Sequence, residues 1–208
     1  MKSIGYRLTE LFFIFVLIPI GFAMEIPFWI KGAIGVLGFL YILFIMLRVE
    51  RIKVALAPNL NWNTFYKRIL FQFLGIMVVT TLYVWIVDRS NLFVVVWNKP
   101  LLWLVILFVY AFFSVYPQEL IYRTFFFKRY QELFKNQNLF ILINATLFSL
   151  GHIFFKNSLV MVLTFVGGLL FAYTFKKTQS TILVSIEHAV YGCWLFTVGM
   201  GTMLGFPS

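Results

Sequence analysis

The chain lacks most of what a water-facing surface is made from. Only 12% of its 208 residues are charged and only seven are acidic. Soluble domains carry about 25% charged residues, so a domain folded in water is excluded. There is one cysteine, Cys193, which rules out an internal disulfide and a zinc–cysteine cage; filling space in a helix suits it. There are two histidines, His152 and His188, both inside long apolar stretches. Internal repeats of the transporter kind and low-complexity tracts are missing. So is the HExxH pattern of the common zinc-protease helix.

What fills the chain is apolar: 62% hydrophobic and 21% aromatic, with a mean hydropathy of +0.94. A membrane-crossing helix needs about 20 such residues. Seven apolar spans can be read, near 11–24 (with Pro19 inside it), 26–47, 69–87, 92–116 after an interruption at Asn98-Lys99-Pro100, 138–155, 158–175 and 179–200. Between the fourth and fifth lies 117–135, PQELIYRTFFFKRYQELFK, apolar at its start and basic at its end. Pro117 suits a first helical turn, where its missing N–H is not needed, so a further, partly embedded helix is expected there. The fold class is all-α: a polytopic transmembrane bundle of about seven to eight helices, one domain over 1–208. The polar stretch 48–65 reads as a loop or surface helix. No cleavable signal peptide is expected, because the first apolar stretch runs into the second without a small-residue cleavage site. Gly167-Gly168 with Ala172 offers small residues where helices can approach closely.

The net charge of +10 does not point to nucleic acid. The basic residues cluster in short loops between apolar spans, as the positive-inside rule expects. That pattern predicts a multi-pass protein of the cell membrane with a cytoplasmic N-terminus and the lipid bilayer as its surroundings.

Ionisable groups at membrane depth are costly and mark function. Three sites qualify. Glu119 and Arg123 are four apart, hence on one helix face. Phe148-Ser149-Leu150-Gly151-His152 puts an aromatic one turn before a histidine. Glu187-His188 sits inside the last span, with Ser185 and Tyr191 three residues either side of His188 as hydrogen-bonding neighbours. Two imidazoles and a carboxylate can hold zinc or another divalent metal with an open position for water. Alternatively, a carboxylate activates water directly while imidazoles orient it or stabilise an oxyanion. A proton relay or a transported metal is the non-hydrolytic alternative. Simple spanning rods do not bring these groups to one level, so some helices are expected to be tilted, short or re-entrant.

Read together, QELIYR (118–123), FSLGH (148–152) and HAVYG (188–192) resemble the three motifs of the CPBP family. This is the family of CAAX proteases and bacteriocin-processing proteins, also called Abi. The likeness covers about 92–200, including the lead-in GLLFAYTFKKTQS (168–180). It implies an intramembrane endopeptidase, a metalloprotease or a glutamate-type enzyme, acting on a membrane-associated protein or peptide such as a CAAX-type tail or a leader peptide. It also implies site roles for Glu119, Arg123, His152 and His188, with the two histidines as metal or oxyanion ligands. Two positions depart from the pattern. Gln118 replaces the leading glutamate, which the family uses as base, and Gly192 replaces an asparagine. Gln118 can hydrogen-bond water but cannot take its proton. Neighbouring helix positions point about 100° apart, so Glu119 replaces it only if the helix shifts or rotates. Three readings follow: a protease using Glu119, His152 and His188; a pseudoprotease that binds membrane peptides without cutting them; and a transporter with a di-histidine site, whose repeats and continuous polar path are not seen. The protease reading expects the Glu119 carboxylate to face a cavity shared with His152 and His188.

Overall fold

The computed structural model describes residues 3–52 and 61–205. Among these, every regular element is helical. Seven helices are long and apolar enough to cross a membrane: α1 (Ile4–Ala23), α2 (Phe28–Val49), α3 (Trp62–Val87), α4 (Pro100–Leu133), α5 (Gln137–Phe155), α6 (Ser158–Thr178) and α7 (Thr181–Val198). The all-α polytopic bundle is therefore the fold. Part of the 48–65 linker, residues 53–60, lies outside the described residues; from Trp62 onward the same stretch already belongs to α3.

The separate helix expected at Pro117 does not form. The segment continues the fourth span as one 34-residue helix, α4. A proline inside a helix lacks an N–H and presses its ring on the carbonyl four residues earlier. Here a π-helical turn at Tyr110–Val115 precedes it and absorbs the mismatch by widening the hydrogen-bond register. Pro19 in α1 is treated the same way, after a π turn at Phe13–Leu17. A second π turn, Leu120–Phe125, follows in α4. At about 1.5 Å per residue α4 is about 51 Å long, against about 30 Å of hydrocarbon.

Helix ends also extend past the apolar windows. α3 begins at an Asn61 cap whose side chain accepts from the Thr64 amide at 3.1 Å. It thereby includes Arg68, and α1 likewise includes Glu10. α5 is α-helical only to Leu150; Gly151 and His152 turn the chain into a 3₁₀ turn at Ile153–Phe155. His152 thus stands at the end of a short helix, as the uneven depths of the polar groups demanded.

α7 is the central helix. In its apolar window 56% of residues are buried by protein, against 11% for α3, whose surface is left to lipid. α5 and α6 pack closest: a Cβ on Gly168 would lie 3.0 Å from the Cα of Ala145, the small-residue approach typical of membrane helices. α1 and α2 are pinned to the end of α4 by Arg129. Its guanidinium meets Glu10 of α1 at 2.8 Å and Glu50, just past α2, at 2.5 Å. Tyr130 and Tyr41 donate to the same Glu10 carboxylate at 2.8 and 2.6 Å.

Candidate active site

α4, α5 and α7 bring Gln118, Glu119, Arg123, His152 and His188 together. Each i,i+4 spacing has its own physical content. Glu119 and Arg123, both fully buried, pair at 3.3 Å along one face of α4. His152 Nδ1 lies 2.8 Å from the Phe148 carbonyl, one turn back on α5. The Phe148 ring lies under the Arg123 guanidinium, 4.7 Å from its centroid, and edge-on to His152 at 4.8 Å. Arg123 also donates to the Asn144 side-chain oxygen at 2.8 Å, and Asn144 in turn donates to the Tyr122 carbonyl at 2.8 Å.

Glu119 accepts from His188 Nδ1 at 2.7 Å. A carboxylate and a carbonyl accept, so each imidazole places a proton on Nδ1, and its neutral form then offers Nε2 as an acceptor. Phe171 stacks on the His188 ring at 4.3 Å. His188 Nε2 lies 3.1 Å from the Tyr110 hydroxyl, which donates to it in the neutral form of the ring.

Both histidines line a largely apolar cavity of about 300 Å³, together with Tyr110, Gln118, Tyr122 and Gly192. Glu119 is not on its wall. The expectation that its carboxylate faces the cavity is therefore corrected: Gln118 takes the wall, and Glu119, about 100° around the helix, turns inward to His188 and Arg123. The Gln118 amide donates to Ser114 at 2.8 Å, while its buried oxygen has no partner among the described residues.

The neighbours expected for His188 are not the ones it has. Tyr191 bonds Glu187 at 3.2 Å and Gln72 at 3.1 Å, and the Ser185 hydroxyl has no partner among the described residues. Glu187 points away, as its offset from His188 implies, to Thr174 at 2.5 Å and Arg68 at 3.6 Å. Tyr110 is the neighbour of His188 that sequence reasoning missed; Asn144, set aside as two turns before His152, enters through Arg123 instead. An amide inside an apolar span was a usable signal for Asn144. One more aromatic in an aromatic-rich chain gave none for Tyr110.

Zinc held by His152 and His188 needs a third strong ligand. Glu119, the nearest carboxylate, engages the other ring nitrogen of His188, and no group of three His, Cys, Asp or Glu able to hold a metal occurs among the described residues. The donor set does not fit zinc.

Helices of this length and polarity define a multi-pass integral membrane protein, with the histidine cavity inside its bundle. A family model described as type II CAAX prenyl endopeptidase Rce1-like matches residues 100–205, just over half of the chain. The chain belongs to that Rce1-like family, in agreement with the CPBP likeness of its three motifs. No curated protein and no solved structure matches it.

Proposed function

We propose that the chain is an intramembrane endopeptidase whose water is activated by an imidazole rather than a carboxylate. One observation carries this reading: both Nδ1 atoms are committed to acceptors, and both imidazoles line a largely apolar cavity to which their neutral forms offer Nε2. Water held at His152 Nε2 and the free oxygen of Gln118 attacks the peptide carbonyl carbon. The new C–O bond forms as the π pair moves onto the carbonyl oxygen and the water proton moves to His152. Collapse breaks the C–N bond, and His152 returns that proton to the departing amine. Glu119 acts through His188, fixing its tautomer and orientation as the buried carboxylate of a hydrolase triad does. Arg123 neutralises Glu119 and holds it away from the cavity. Catalytic work in these steps falls to His152 and Gln118, with His188, Glu119 and Arg123 as positioning residues, and no step uses a metal.

The substrate is a membrane-associated protein or peptide, with a CAAX-type tail or a leader peptide as the classes to test. The site lies in one membrane domain whose N-terminus faces the cytoplasm of a cell-membrane protein, as the loop charges favour. A second reading is favoured by Gln118, an amide where a base belongs: the cavity binds such peptides without cutting them. Purified protein in lipid vesicles, given internally quenched prenylated CAAX-type and leader peptides, separates the two. Cleavage that falls at least a hundredfold in His152→Ala supports the endopeptidase. Binding without cleavage, together with turnover gained in Gln118→Glu, establishes the second reading instead.

A further inference from the structure

Tyr110 comes from the π turn of α4 and sits over Gly192 of α7. A Cβ built on Gly192 would lie 2.0 Å from the Tyr110 hydroxyl and 2.4 Å from two of its ring carbons. A side chain at 192 would require this ring to move; in their present positions the glycine and the tyrosine are one steric unit. The Phe196 ring, 4.8 Å away and edge-on, backs the tyrosine from one turn further along α7. Both Tyr110 and Gly192 line the cavity, so the phenol brings a hydrogen-bond donor to the wall beside His188, where position 192 offers none.

We propose that Tyr110 is a catalytic residue whose hydroxyl, bonded to His188 in the resting site, turns to the carbonyl oxygen of the scissile peptide when substrate enters. The inference rests on the endopeptidase reading. The step is a change of hydrogen-bond acceptor, with no proton transferred: the O–H dipole meets the negative charge that develops on the carbonyl oxygen as water adds. A preorganised donor of this kind contributes about 10²–10³ in kcat.

Tyr110→Phe keeps the ring that fills the space over Gly192 and removes only the donor. With the quenched peptide that the wild type cleaves best, kcat should fall about 10²–10³-fold, while KM and the thermal midpoint in detergent stay near wild type. Wild-type kcat in Tyr110→Phe overturns the role of Tyr110 and leaves the endopeptidase reading standing. No cleavage by the wild type overturns that reading, and the donor role falls with it. Should Tyr110→Phe not accumulate, Tyr110→Ala and Tyr110→Ala/Gly192→Asn decide the matter. An amide donor placed in the vacated space should raise turnover at least tenfold over Tyr110→Ala, and no gain overturns the proposal.

Discussion

Arg123 and Arg129 lie on the same helix, both buried, and are held in opposite ways. Arg123 faces one carboxylate, Glu119, and spends its other donors on Asn144 and on the carbonyls of Tyr122 and Gly168. All of these partners belong to α4, α5 or α6, the helices around the cavity. Arg129 meets two carboxylates, Glu10 and Glu50, from the N-terminal part of the chain. The first arginine holds the acid that orients His188. The second staples α1 and α2 to the end of α4. One helix thus carries a site and a clamp, and buried charge does a different task in each.

Substitutions can break this contrast. The largest effect is expected from Arg123→Ala, which strands a fully buried Glu119; breaking such a pair costs about 3–5 kcal/mol. Unfolding in detergent should shift accordingly, and cavity binding should be lost. Arg129→Ala should approach the same range from its lower side, because the Glu50 side chain is 24% exposed and partly hydrated. Its signature differs: limited proteolysis should open α1 and α2 while peptide binding in the cavity persists. If Arg129→Ala abolishes binding as Arg123→Ala does, site and clamp are not separate.

The same change on the two acids sharpens the comparison. Glu119→Gln should lower kcat about a hundredfold or more, since an amide no longer fixes the tautomer and orientation of His188. Glu10→Gln should leave kcat within a few-fold of wild type and register in stability instead. The smallest effects are expected one shell out. Asn144→Ala leaves an Arg123 donor unmet and should cost about 1–3 kcal/mol. Tyr41→Phe, which removes one hydrogen bond to Glu10, should cost about 1.5–3 kcal/mol at most, reduced by its partly exposed setting. Equal losses of turnover from Asn144→Ala and Tyr41→Phe would erase the distinction.

What was legible in the sequence follows from this division. His152, His188, Glu119 and Arg123 stood out because an ionisable group in an apolar run is rare and costly. Seven spans were countable because each is dominated by an apolar window. Which way Gln118 and Glu119 turn was not legible: adjacent residues differ by a rotation that only packing resolves. The extra helix at Pro117 was expected because a proline alone reads as a start. The π turn that absorbs it has no signature in residue type. The clamp was hidden for a further reason. Glu10, Glu50 and Arg129 are far apart in sequence, and hydropathy windows stop at charges, so the charged turns at the helix ends looked like loop edges.

The length of α4 has a consequence outside the protein. A helix of about 51 Å fits about 30 Å of hydrocarbon only by leaning or by projecting from it, and bilayer thickness selects between the two. Tyr110, Gln118 and Arg129 are spread along that one rod. A change of bilayer thickness therefore bears on the same rod that carries both the site and the clamp.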